Sequence, residues 1–226
     1  MHIPDGYLGP ATCGFFYAIM VPIWALASKI VKKTLNAKQV PLLAIGAAFS
    51  FVIMMFNVPI PGGTTGHAVG GVLVAILIGP WAACIAITVA LAVQALLFGD
   101  GGITALGANC FNMAFALPFA GYYIYKAISY NSPIGSNRRV IAAGIAGYIA
   151  VSVAASLTGF EFGIQPLLHK TASGQALYCP YGLNVALPVM LGEHLLVFGW
   201  IEALVTALVV KYLQKQDLGL LGDGRG

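Results

Sequence analysis

Residues 81–98 read WAACIAITVALAVQALLF, a predominantly apolar run with no Asp, Glu, Lys or Arg. A helix that crosses a bilayer needs about 20 such residues, and this stretch has that size. Working outward, the same reading predicts further spans at 11–30, 40–56, 67–79, 107–126, 139–158 and 183–212. Residues 1–216 are then one all-α membrane domain of seven transmembrane helices, followed by a polar tail at 217–226. Composition agrees. The chain has 226 residues, 59% hydrophobic and 8% charged, where a soluble domain carries roughly 25% charged residues. So few charges cannot cover a water-facing surface.

The linkers sort by chemistry. Lys29, Lys32, Lys33, Lys38, Lys126, Arg138, Arg139, Lys211, Lys215 and Arg225 fall on one side of a seven-span bundle, and of the Lys and Arg residues only Lys170 falls on the other. The positive-inside rule makes the first side cytoplasmic. The N-terminus is then outside and the C-terminus inside. A six-span arrangement breaks this sorting. No basic n-region precedes the first apolar stretch, so the N-terminus is expected to stay in the mature protein.

Several function classes are excluded. The charges punctuate apolar runs, so the net charge of +4 does not mark a nucleic-acid surface. No G-x-x-x-x-G-K-[ST] is present for ATP hydrolysis, and no H-E-x-x-H for a zinc protease. No pair of equivalent broken helices marks a self-sufficient secondary transporter. Cys13, Cys84, Cys110 and Cys179 form no CxxC and are expected to be reduced thiols used in packing.

The third span is short. Thirteen residues rise roughly 20 Å, against a hydrocarbon core about 30 Å thick. The preceding loop, Asn57-Val58-Pro59-Ile60-Pro61-Gly62-Gly63-Thr64-Thr65-Gly66, must dip into the membrane. Irregular backbone at that depth lines a cavity or is buried in protein, so a recessed pocket open to the outside is expected. His2, Asp5, His67, Asp100, Asn109, Glu161 and His169 all map to that outer side.

Met1-His2 can chelate a metal through three nitrogens: the α-amine, the deprotonated amide between the two residues, and an imidazole nitrogen. Square-planar nitrogen sets suit Ni²⁺ or Cu²⁺. His67, opening the third helix after a glycine run, is the best fourth donor. Asp100 either orients a ligand imidazole or caps the helix near 104–109. Asp5, Thr64 and Asn109 are loop supports. Glu193, His194 and Glu202 lie inside the seventh span, where an ionisable group costs roughly 2.5–3.5 kcal/mol. They either pair with one another or meet another subunit. Ala44 with Ala48, and Gly66 with Gly70, form small-xxx-small patterns that let helices approach closely.

Three stretches carry a family resemblance: Met1-His2-Ile3-Pro4-Asp5-Gly6-Tyr7-Leu8, Pro61-Gly62-Gly63-Thr64-Thr65-Gly66-His67, and Gly99-Asp100-Gly101-Gly102-Ile103 with Leu106-Gly107-Ala108-Asn109. With them the chain resembles the CbiM/NikM family, the substrate-specific components of energy-coupling-factor transporters for cobalt and nickel. The resemblance implies a six-helix core plus one extra N-terminal helix, with Met1 and His2 folded inward to meet His67 around Ni²⁺ or Co²⁺. It implies a transmembrane coupling subunit, two cytoplasmic ATPase subunits and a small accessory membrane subunit, the last expected as a separate chain. It makes Ala44 and Ala48 candidate contacts to the coupling subunit, in the multi-pass plasma membrane of a prokaryote. Competing readings are an intramembrane metalloenzyme and a structural membrane subunit without a small ligand.

Overall fold

The computed structural model describes residues 1–35 and 39–221. Lys38 and Arg225, both used in the charge sorting, lie outside the described residues, as does 222–226 of the tail. Helices α1 (Pro10–Thr34) and α2 (Val40–Met55) come first. A two-stranded hairpin of β1 (Val58–Pro59) and β2 (Thr65–Gly66) follows, then α3 (Gly71–Ile78) and α4 (Pro80–Val93). Next are α5 (Leu106–Asn109), α6 (Leu117–Ile128), α7 (Asn137–Gly163) and α8 (Gln165–Leu168). The last two are α9 (Leu183–Glu193) and α10 (Gly199–Gln216). Proline opens several of them, at Pro10, Pro41 and Pro80. Its fixed φ suits the first turn, where its missing N–H is not needed.

Three π-helical turns join neighbours into longer rods: Gln94–Phe98 extends α4, Cys110–Ala116 links α5 to α6, and His194–Phe198 links α9 to α10. Among the described residues, four rods are long and apolar enough to cross a membrane: Pro10–Thr34, Pro80–Phe98, Asn137–Leu168 and Leu183–Gln216. Shorter apolar helices pack beside them. Large apolar side chains such as Phe15, Ile45, Leu97, Leu196 and Leu204 stand exposed on the outside, as a lipid-facing surface requires.

The centre of the bundle is α7. Its small residues, Ala142, Ala146, Ala150 and Ala154 among them, are fully buried at the four-residue spacing of one helix face. A Cβ on Gly159 would stand 2.9 Å from Leu187 Cα, and one on Gly163 2.6 Å from Leu183 Cα. The absence of side chains there is what lets α9 lie backbone to backbone on α7.

The stretch predicted as the third span departs from expectation. The helix starts at Gly71, four residues after His67, so it is shorter still, about 12 Å. The loop ahead of it is a true hairpin, with Val58 opposite Gly66 and Pro59 opposite Thr65, closed by Ile60 N–H donating to Thr64 O at 2.8 Å. Residues 67–70 are irregular because a side chain from α10 claims their backbone. Glu202 accepts from Val69 N at 2.7 Å and Gly70 N at 2.9 Å, and Gly70 turns with φ 73°. Gly66 and Gly70 therefore form no helix-packing pair. After α10, Leu218–Leu221 makes a 3₁₀ turn with Leu221 buried. All four cysteines are free and buried.

Candidate metal site

Chain termini usually fray unless something ties them down. Here the first three residues are among the most buried in the molecule: Met1 0%, His2 2% and Ile3 0% exposed. Residues 1–9 run inward, and several of their backbone groups bond to segments distant in sequence. The Met1 amine donates to Thr65 O and, at 3.2 Å, to Thr65 Oγ1. Thr64 Oγ1 donates to His2 O at 2.5 Å. Asn109 clamps Ile3 from both sides, accepting from its N–H at 2.8 Å and donating to its carbonyl at 3.1 Å. Gly102 N–H donates to the same carbonyl at 2.8 Å. Farther along, Gly9 N–H donates to Gln165 Oε1 at 2.9 Å and Cys179 N–H to Tyr7 O at 3.0 Å.

Asp5 holds the neighbouring loop. It accepts from Ile103 N, Thr104 N and Thr104 Oγ1 at 3.2, 2.8 and 2.5 Å. The Thr104 hydroxyl and these backbone N–H groups hold its carboxyl below the usual range. The turn ahead of α5 thus belongs to Asp5, and the capping role considered for Asp100 is not the one the structure shows. Asp100 faces the N-terminus: Oδ2 accepts from Asn57 Nδ2 at 3.0 Å, and Oδ1 lies 3.3 Å from His2 Nδ1. Burial raises the Asp100 carboxyl above its ordinary value.

His2 and His67 meet face to face, ring centroids 4.5 Å apart and planes 23° from parallel. The tautomers follow from their partners. His2 Nε2 is 3.2 Å from Gln94 Oε1, a group that only accepts, so the proton is on Nε2. Its Nδ1 has no hydrogen-bond partner; the approach of Asp100 has the distance of an ion pair without hydrogen-bond geometry. His67 mirrors this arrangement. Its Nδ1 donates to Ala68 O at 3.0 Å, while Nε2 is buried and unpartnered. Two buried imidazole lone pairs without partners call for an explanation, since leaving such a group unpaired costs about 1–3 kcal/mol.

Protonation leaves these nitrogens available. Burial pushes the Met1 amine from 8.0 down to about 4 and the His2 imidazole from 6.5 down to about 3. Both are neutral at physiological pH. Among the described residues no three His, Cys, Asp or Glu side chains converge on one point. A metal held here therefore needs donors beyond those side chains, and main-chain nitrogen at Met1 and His2 is the available kind.

Of the predicted outer groups, the structure brings Met1, His2, Thr64, His67, Asp100 and Asn109 together, with Asp5 on the flank. Glu161 and His169 take other partners: Asn112 Nδ2 donates to Glu161 Oε2 at 2.9 Å, and His169 packs edge-on against Tyr178. Glu202 does not pair with Glu193 or His194, because it binds the backbone ahead of α3. Glu193 Oε1 lies 3.2 Å from His194 Nδ1. Ala44 and Ala48 are exposed on α2. Sequence reading missed Gln94, Thr65 and Asn57. Gln94 carried a usable signal, an uncharged polar residue in an otherwise apolar span. The role of Thr65 rests on its carbonyl, which no side chain announces.

A family model described as "Cobalt uptake substrate-specific transmembrane region", CbiM, matches residues 2–219. A fused nickel transport protein, NikMN, of Rhodobacter capsulatus is 52% identical over 225 residues, covering 100% of this chain and 65% of that protein. A putative metal transport protein of Methanocaldococcus jannaschii is 52% identical, covering 95% of this chain and 92% of its own length. The chain spans 65% of the fused relatives' length. The crystal structure of a truncated transition metal transporter is similar at TM-score 0.91 and 55% identity, covering 96% of this chain and 99% of that one.

Proposed function

The chain belongs to the CbiM family of cobalt uptake substrate-specific transmembrane regions, and we propose that it captures Ni²⁺ (or Co²⁺) at its outer face for uptake. The family is a transporter component, so the ion is cargo and no catalysis is assigned. Four nitrogens form the capture set: the Met1 amine, the His2 amide, His2 Nδ1 and His67 Nε2. The observation that carries this reading is the pair of buried imidazole nitrogens, His2 Nδ1 and His67 Nε2, unpartnered beside a neutral amine.

The chemistry fits at each atom. His2 Nδ1 is the nitrogen that closes a six-membered ring with its own amide, and Gln94 keeps the proton on the other nitrogen. Ala68 O does the same for His67, the arrangement expected of ligand imidazoles. Asp100 adds a negative charge beside His2, which favours a cation. Loss of the amide proton makes capture a proton-releasing step. The two rings meet by their faces, whereas a planar set needs their nitrogens in one plane, so capture includes rotation of a ring about its side-chain torsions. Four nitrogens in a plane suit d⁸ Ni²⁺, and the general affinity order also places Ni²⁺ above Co²⁺.

The same reading includes seven spans with the N-terminus outside. It also includes assembly with a transmembrane coupling subunit, two cytoplasmic ATPase subunits and a small accessory membrane subunit, in a prokaryotic plasma membrane. Ala44 and Ala48, exposed on α2, are the proposed contact to the coupling subunit. The test is a Ni²⁺ titration of purified protein with an unblocked Met1. Inserting one glycine between Met1 and His2, or changing His67→Ala, is expected to weaken binding by more than about 100-fold. Stoichiometric binding retained by either variant overturns the ligand set.

A further inference from the structure

A third imidazole repeats the pattern of the first two. His194 is 0% exposed. Its Nδ1 donates to Met190 O at 2.8 Å, which puts the lone pair on Nε2, and Nε2 is buried without a partner. The usual way to satisfy a buried histidine is to pair both nitrogens. Here one is anchored to a backbone carbonyl and the other left free, as in His67.

Helix register places His194 behind the hairpin. A Cβ on Gly63 would touch Met190 Sδ at 2.6 Å, and one on Gly66 would run into the Phe198 ring. Glu202 grips Val69 and Gly70. Met190, Phe198 and Glu202 thus back the chain from 63 to 70 in order, and His194 sits between the first two on the same four-residue stripe, level with 64–66. The π-helical turn at His194–Phe198 is the wide turn that keeps a four-residue stripe aligned. The His194 ring lies 5.4 Å from that of Phe198, the residue that backs Gly66. Beside it, both oxygens of Glu193 lack hydrogen-bond partners, and Glu193 acts on the Met1 amine. Behind His67 the molecule thus offers an unpartnered imidazole nitrogen with the Glu193 carboxyl next to it.

We propose that His194 is the entering ligand that moves the captured ion off His67: as the metal–Nε2 bond of His67 breaks, a bond to Nε2 of His194 forms. This rests on the capture reading above. One imidazole nitrogen replaces another, so the step changes neither charge nor oxidation state. Planar d⁸ ions exchange ligands by adding a fifth donor before losing one, so a donor held nearby speeds exchange in both directions without being part of the resting set.

The test uses purified protein, Ni²⁺, and a chelator in excess, with wild type, His194→Ala and His194→Gln. Glutamine keeps a donor for Met190 O but offers no imidazole. The expected result is that both variants keep the wild-type Ni²⁺ affinity within about twofold while association and release slow together by about tenfold or more. Unchanged rates in both variants overturn the proposal. So does a glutamine variant with wild-type rates, which makes the role one of packing, or a loss of affinity in both, which makes His194 part of the capture set. If wild type itself binds no Ni²⁺, the capture reading is what has failed.

Discussion

The first and the last described segments are both folded back onto the bundle, but by different forces. At the N-terminus, residues 1–9 are fixed by hydrogen bonds to Thr64, Thr65, Gly102, Asn109, Gln165 and Cys179. After α10, the turn at Leu218–Leu221 packs on α3 and α10 with Leu221 as its buried side chain. Apolar burial is non-directional and tolerates small displacements. Hydrogen bonds of 2.5–3.1 Å to named backbone atoms do not. A polar clamp is what a chain uses when an atom, and not only a surface, must sit at a given place. The atoms so placed are the nitrogens of Met1 and His2.

The sharpest way to break this comparison is pH. The fold holds the Met1 amine at about 4 against an ordinary 8.0, and His2 at about 3 against 6.5. Both are bases kept neutral, so an undocked segment binds more protons than the docked one between these values. Docking loses free energy as pH falls below 8.0, and the loss grows until about 3, where His2 too is protonated in the docked form. Above that loss, Ni²⁺ binding to docked protein displaces only the amide proton. The logarithm of affinity is expected to rise by about one per pH unit between 6.5 and 8.0. A synthetic peptide of residues 1–9, whose amine must also deprotonate, is expected to show about two per unit. Equal slopes would mean that the segment is not docked before the ion arrives.

A smaller effect is expected at Asn109. Asn109→Ala removes both bonds to Ile3 and leaves a buried N–H without its acceptor, a cost of about 1–3 kcal/mol. Ni²⁺ affinity is expected to fall about tenfold, since 1.4 kcal/mol is one decade, and added Ni²⁺ should restore part of the lost thermal stability. A titration identical to wild type would remove Asn109 from the clamp.

How much of this was readable beforehand depends on the length scale. Apolar runs and the placement of Lys and Arg expose helices tens of ångströms long, because hydration acts on every residue in them. Met1, His2 and His67 were legible because amine, imidazole and a glycine-rich hairpin are chemically unusual near a membrane. Gly70 and Glu202 show what was not. Whether His67 opens a helix depends on a carboxylate more than a hundred residues away that claims the N–H groups of Val69 and Gly70. Nor could local pattern show that Asp5 and not Asp100 holds the 103–104 turn, since both acids sit in similar glycine-rich surroundings.

The opposite end supplies the control with the smallest expected effect on the site. Leu221→Ala shortens the buried side chain of a single 3₁₀ turn, a short element that can close over the gap, so the cost should sit near or below the roughly 2 kcal/mol low end for such truncations. A modest fall in Tm is expected, with Ni²⁺ affinity unchanged within about twofold. The pairing with Asn109→Ala is what makes this informative. Two variants of similar stability cost should then separate cleanly, one losing about a decade of affinity and the other none. If both lose it equally, ion capture tracks global stability, and the N-terminal bonds are packing like any other. If they separate, the bonds to Ile3 are there to hold the nitrogens of Met1 and His2 where the ion must find them.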